Sequence, residues 1–313
     1  MVNLVKIQTN SSFYYSRRFF CGCFVIMMSV IQIGICEERL GMTTVQIETV
    51  RTESFSMDFF RFGHGKETLV ILPGLSVQSV MVFADAVAEA YQRLAYDFTI
   101  YVFDYRKEMP IAYPMHEMAQ DTAGAIRALG LNRVCVFGAS LGGMIAMRLA
   151  IEQPELIHKL VLGSTSACIE GAQYQAVETW IQMAKSGNKA DLYLAFGEAI
   201  YPRDVFEQSR EFLLEAAKCV TDEDLDRFVI LAESMKGFDI TKDLGKIACP
   251  ILAIGSKDDQ ILGADATLRI AERLNRRRDF SLYMYDGYGH ASYDTAPDYK
   301  DRILRFLIQE ANV

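Results

Sequence analysis

Apolar and polar positions follow two rhythms along most of this chain. Short runs rich in β-branched and aromatic residues, SFSMDFFRF (54–62), TLVILPG (68–74), FTIYVFDYR (98–106), RVCVFG (133–138), IHKLVLGST (157–165), CPILAIG (249–255) and FSLYMYDG (280–287), read as strands. Between them lie stretches with helical spacing: VQSVMVFADAVAEAYQRLA (77–95), MHEMAQDTAGAIRALG (115–130, apolar at 119, 123, 126 and 129), ATLRIAERLNR (266–276) and PDYKDRILRFLIQEA (297–311). MTTVQIETV (42–50) adds a first strand. Nearly continuous apolar strands separated by amphipathic helices predict an α/β fold, a mainly parallel sheet flanked by helices on both faces.

The rhythm breaks at about 170–245. That block is helix-rich, holds the single tryptophan, Trp180, and carries Tyr174, Tyr193, Phe196, Tyr201, Phe206 and Phe212. It is too long for a loop between two strands, so an inserted helical cap over the strand ends is expected, its aromatics mainly packing and a minority facing a pocket.

Residues 1–41 differ again. Arg17 and Arg18 precede eighteen uncharged, mostly apolar residues (19–36), and Glu37, Glu38 and Arg39 follow. This is the charge order of a signal peptide or membrane anchor, and the Ser-Arg-Arg-x-Phe run resembles a twin-arginine signal. No small-x-small cleavage site follows, however. Met42 opens the first strand, and Glu37-Glu38-Arg39 can be encoded by a purine-rich, ribosome-binding-like tract. The preferred reading is a non-native translated leader ahead of a cytoplasmic protein starting at Met42, whose body (42–313) alone suffices for activity. Export or membrane anchoring through 1–41 is the alternative.

Composition removes several classes. Of 313 residues, 51% are hydrophobic, enough for a large core, and a net charge of -8 disfavours nucleic acid as a partner. The seven cysteines (21, 23, 36, 135, 168, 219, 249) form no zinc-type cluster and read as reduced, structural thiols, with Cys135 packed inside a strand. No metal site and no cofactor are expected.

The chemistry concentrates at VCVFGASLGGMIAMRLA (134–150). A strand ending at Phe137 and a helix starting near Leu141 leave room only for a sharp turn. Gly138 and Gly142 flank Ser140 at its apex, so that strand and helix approach closely and the hydroxyl projects beside the first N–H groups of the helix. A serine hydroxyl needs a base. Of four histidines, His64, His116 and His158 read as turn or surface residues, whereas His290 stands in YDGYGHASYD, a loop after the last strand that opens at the same sheet edge. Its orienting acid must come from another strand end. Asp258 and Asp259 in GSKDDQIL follow a strand, and Asp286 lies near His290.

These motifs, in the order Ser, Asp, His, resemble the α/β-hydrolase family over about 45–311. GASLGG resembles its nucleophile elbow, GYGHASY its Gly-His loop, and IGSKDD its Gly-x-x-Asp acid turn, which selects Asp258. ILPGLS resembles the oxyanion loop, with Pro73 where the family usually has histidine. The resemblance implies a serine hydrolase with triad Ser140, Asp258 and His290. Leu75 and Leu141 would supply the oxyanion-hole N–H groups, with Gly74 beside them on the substrate. Carboxylic esters are the first-choice small-molecule acyl substrate. Thioester hydrolysis, C–C bond hydrolysis and acyl transfer use the same parts. A ligand receptor or binding scaffold with a capped pocket is the reading from another class.

Overall fold

The computed structural model describes residues 45–309, so expectations for residues 1–44 lie outside the described residues. Eight strands form one sheet, β1 (Ile47–Arg51), β2 (Ser56–Phe62), β3 (Glu67–Leu72), β4 (Phe98–Arg106), β5 (Val134–Ala139), β6 (Ile157–Gly163), β7 (Ile251–Ser256) and β8 (Phe280–Tyr285). Their order is β1-β2-β4-β3-β5-β6-β7-β8. β3 to β8 run parallel, while β2 pairs antiparallel with both β1 and β4. Every residue of β5 and β7 is buried, as expected of strands covered on both faces.

Helices α1 (Ala84–Ala90), α2 (Met115–Ala128), α3 (Leu141–Glu152), α8 (Ala264–Leu274), α9 (Ser292–Thr295) and α10 (Tyr299–Ile308) accompany the strands. Two apolar clusters lie on the two sheet faces. Met144, Ile145 and Met147 of α3 join the one that contains Val136, and Tyr299 and Ile303 of α10 join the one that contains Phe137. The helix expected over 77–95 is shorter. Ser79 Oγ accepts from the Met81 N–H to start a single 3-10 turn, α1 spans only Ala84–Ala90, and another 3-10 turn covers Leu94–Tyr96.

Between β6 and β7 lie four consecutive helices, α4 (Gly171–Lys185), α5 (Lys189–Ile200), α6 (Arg203–Lys218) and α7 (Asp222–Glu233). Glu170 and Gln173 form a capping box at the start of α4, and Thr221 and Asp224 form one at the start of α7. Their aromatics pack largely on one another: Trp180 and Phe196 meet edge to face at 4.9 Å, and Phe196 meets Phe228 at 6.1 Å.

Candidate active site

Strand β5 ends at Ala139 and α3 begins at Leu141, leaving Ser140 alone in the turn. Ser140 has φ 49° and ψ -117°, a backbone conformation that L-residues rarely adopt. Its N–H donates to the Gly163 carbonyl (2.8 Å), and its own carbonyl accepts from the Gly143 N–H (2.9 Å) and from Thr165 Oγ1 (2.7 Å). The surroundings therefore over-determine the strained residue. The flanking glycines are required by space. A Cβ on Gly138 would sit 2.4 Å from the Gly142 carbonyl oxygen, and one on Gly142 would sit 2.1 Å from that of Leu72.

His290 lies between β8 and α9 and is 2% exposed. Its Nε2 is 3.0 Å from Ser140 Oγ. Positive φ at Gly287 (83°) and Gly289 (64°) turns the loop inward, and the Ala291 N–H donates to the Ile200 carbonyl (2.9 Å) at the end of α5. The helical insertion thus touches the histidine loop directly. His64 is exposed beside Tyr96, His116 is exposed in the first turn of α2, and half-buried His158 is the second residue of β6, with Nδ1 3.1 Å from Arg133 Nη2.

Asp258, the aspartate expected to orient the histidine, does not reach it. Asp259, not Asp258, meets His290, with Asp259 Oδ2 2.8 Å from Nδ1. Its Oδ1 accepts from the Ile261 and Leu262 N–H groups, both at 2.9 Å, and its side chain is 4% exposed. Burial alone would raise the Asp259 pKa. The His290 imidazole and the hydrogen bonds outweigh it and hold the carboxyl below its ordinary value, so a carboxylate faces the histidine. Asp258 is exposed on the outer side of the same turn, where Oδ2 accepts from the Gly287 N–H and lies 3.5 Å from Ser256 Oγ. Asp286 is exposed and paired with Lys257 (3.1 Å). The physical reason is the reach of β7: it continues through Ser256, so the chain reverses over Lys257 and Asp258 and turns inward only at Asp259. The sequence does hold a signal for this. Asp259 stands two and three residues before Ile261 and Leu262, an apolar pair that buries and whose amides need an acceptor.

The loop after β3 borders the serine. A Cβ on Gly74 would be 3.2 Å from Ser140 Cβ, Leu75 is half-buried, and Leu141 is the first, fully buried residue of α3. Tyr105 Oη donates to the Pro73 carbonyl (3.1 Å), Ser79 Oγ donates to Asp104 Oδ2, and Tyr193 Oη of α5 donates to Gln78 Oε1 (2.7 Å). Among the described residues, no group of three or more His, Cys, Asp or Glu side chains could hold a metal ion.

A family model described as the alpha/beta hydrolase family matches residues 69–299. The chain belongs to the α/β-hydrolase family. Its relatives include a protein named "Putative carbamate hydrolase RutD" from Agrobacterium fabrum, 26% identical over 226 residues, covering 69% of this chain and 85% of that protein. A RutD of the same name from Caulobacter is 27% identical over 237 residues, 72% and 86% of the two chains. Among solved structures, the α/β-hydrolase enzyme MGS-M2 from a Medee basin deep-sea metagenome library superposes with TM-score 0.73 at 22% identity, over 86% of this chain and 99% of that one. The enol-lactonase of Burkholderia xenovorans LB400 superposes with TM-score 0.72 at 17% identity, over 84% and 100%. At those identities the superpositions speak for the fold. With the family and the RutD relatives, this chain is a hydrolase.

Proposed function

We propose that this hydrolase is a serine enzyme acting on small acyl substrates, carboxylic esters first, through Ser140, His290 and Asp259 and an acyl-enzyme. The observation that carries the reading is the continuous relay from Ser140 Oγ to His290 Nε2 (3.0 Å) and from His290 Nδ1 to Asp259 Oδ2 (2.8 Å). His290 takes the hydroxyl proton as Ser140 attacks the carbonyl carbon. Asp259 fixes the tautomer with the proton on Nδ1 and stabilises the imidazolium that forms. The N–H groups of Leu75 and Leu141 receive the developing oxyanion. His290 then gives its proton to the leaving alcohol, and in the second half-reaction it activates the water that releases the acid. The helices α4 to α7 serve as the cap, and their inner side sets which acyl group enters.

The names of the relatives bring a carbamate into the same class. Its carbonyl is attacked in the same way but is less electrophilic, because nitrogen donates into it. A panel of p-nitrophenyl esters of increasing chain length, an acyl thioester and a carbamate, run with wild type and with Ser140→Ala, tests the reading. Ester turnover that falls by about 10⁴ or more in Ser140→Ala supports it. Ser140→Ala turnover within a few-fold of wild type contradicts it, and ligand binding without turnover by wild type favours a receptor.

A further inference from the structure

We propose that the helical insertion does more than select substrates: through Arg227 and Tyr193 it holds the loop from Pro73 to Ser79 in the shape that aims the Leu75 N–H at the oxyanion. The inference rests on the serine-hydrolase reading above.

The loop lies against the nucleophile at Gly74, yet it has no regular structure of its own from Pro73 to Ser79. Its position is set by side chains that converge from outside. At its start, the Pro73 carbonyl accepts from Tyr105 Oη (3.1 Å). Burial pushes the Tyr105 phenol above its ordinary pKa, the Arg227 charge opposing this only in part, so the phenol stays protonated and remains a donor. Near the loop's far end, Ser79 Oγ donates to Asp104 Oδ2, and Gln78, 6% exposed, accepts from Tyr193 Oη (2.7 Å).

Arg227 of α7 joins these anchors. Its Nη2 donates to Asp104 Oδ1, the other oxygen of the carboxylate that receives Ser79. Its guanidinium carbon lies 5.3 Å from the centroid of the Tyr105 ring, whose hydroxyl holds Pro73. One side chain of the insertion therefore braces both ends of the loop, and Tyr193 from α5 braces it between them. The Arg227 and Asp104 side chains are 15% and 10% exposed, so the pair is little screened by solvent. A salt bridge that served only to attach the insertion would not need to share its carboxylate with Ser79 or its cation with Tyr105. Arg227 and Tyr193 are positioning residues, since they act through the loop.

The test reads the oxyanion hole rather than the fold. Phosphonylation of Ser140 by a fluorophosphonate develops charge on the same oxygen position and requires no knowledge of the natural substrate. The second-order labelling rate is measured for wild type, Arg227→Met, Arg227→Lys and Tyr193→Phe, with kcat and KM for p-nitrophenyl acetate alongside. A misplacement of about 1 Å in such a group costs up to ~10²-fold in rate. Labelling and kcat are expected to fall about 10-fold or more in Arg227→Met and by a smaller factor in Tyr193→Phe, with KM for acetate within about twofold and partial recovery in Arg227→Lys. Labelling rates of folded variants that match wild type, or losses confined to KM for p-nitrophenyl acetate, would overturn the inference and leave the insertion as a lid alone. If Arg227→Met does not fold, Tyr193→Phe decides, because it removes one hydroxyl and keeps the ring. Wild type that is unlabelled, or labelled elsewhere than at Ser140, defeats the underlying serine reading instead.

Discussion

Two adjacent aspartates after β7 have opposite surroundings. Asp259 spends both oxygens inside the protein, on His290 and on two turn amides, whereas Asp258 faces solvent and braces the Gly287 N–H. Asp259→Asn should lower kcat by about 10⁴, because an amide can present its N–H to the imidazole and stabilise the wrong tautomer. Asp258→Asn should cost less than about tenfold, since an amide oxygen still accepts from Gly287. Steady-state kinetics of the two variants on one ester checks both. Burial opposes ionisation of Asp259, but the His290 imidazole and the turn amides outweigh it and hold the carboxyl below its ordinary value, so Asp259 is the charged partner of the histidine wherever an ordinary aspartate is ionised. The meeting of Ser140 with His290 was legible in the sequence because glycines mark the turns that carry them. The aspartate that meets His290 was not, because Gly-x-x-Asp spacing counts residues, while the side facing the histidine is decided by where β7 stops hydrogen bonding, and that lies at Ser256.

Among elements, the strand-turn-helix at β5 and α3 leaves the least room for change. Gly142→Ala places a methyl group 2.1 Å from the Leu72 carbonyl oxygen, a backbone atom that cannot swing aside. A loss of about 3 kcal/mol or more is expected, read by urea denaturation. Near the start of the central strand β6, Lys159 is 5% exposed, and its Nζ donates to the carbonyls of Phe306 (3.3 Å), Leu307 (2.8 Å) and Gln309 at the end of α10. Lys159→Met should cost about 1–3 kcal/mol by stranding those carbonyls, without changing kcat per folded molecule. The strands and most flanking helices were legible from periodicity, since burial on both faces enforces the apolar runs in β5, β6 and β7. The stretch 77–95 misled because its apolar residues suit a helix while Ser79 is engaged with Asp104 and the Met81 N–H, which starts a 3-10 turn instead.

For the molecule as a whole, the sheet gathers residues 119 and 31 positions from one another along the chain, Ser140, Asp259 and His290, at one edge, and the insertion touches the loops on either side of them. No helix among the described residues is long and apolar enough to cross a membrane. The four described cysteines are unpaired. Burial pushes the thiols of Cys135 and Cys249 up to about 12, while Cys219 is exposed. Brief iodoacetamide treatment of the native protein at pH 8 should alkylate Cys219 and spare Cys135 and Cys249 until denaturant is added, as read by peptide mass mapping.

The proposed chemistry depends on Ser140 as the nucleophile. Its most direct test is peptide mapping of the native protein after reaction with a fluorophosphonate. The expected result is one adduct per chain, carried by the peptide that contains Ser140 and lost both in His290→Ala and on prior unfolding. An adduct on another residue, or labelling that survives either treatment, would contradict it.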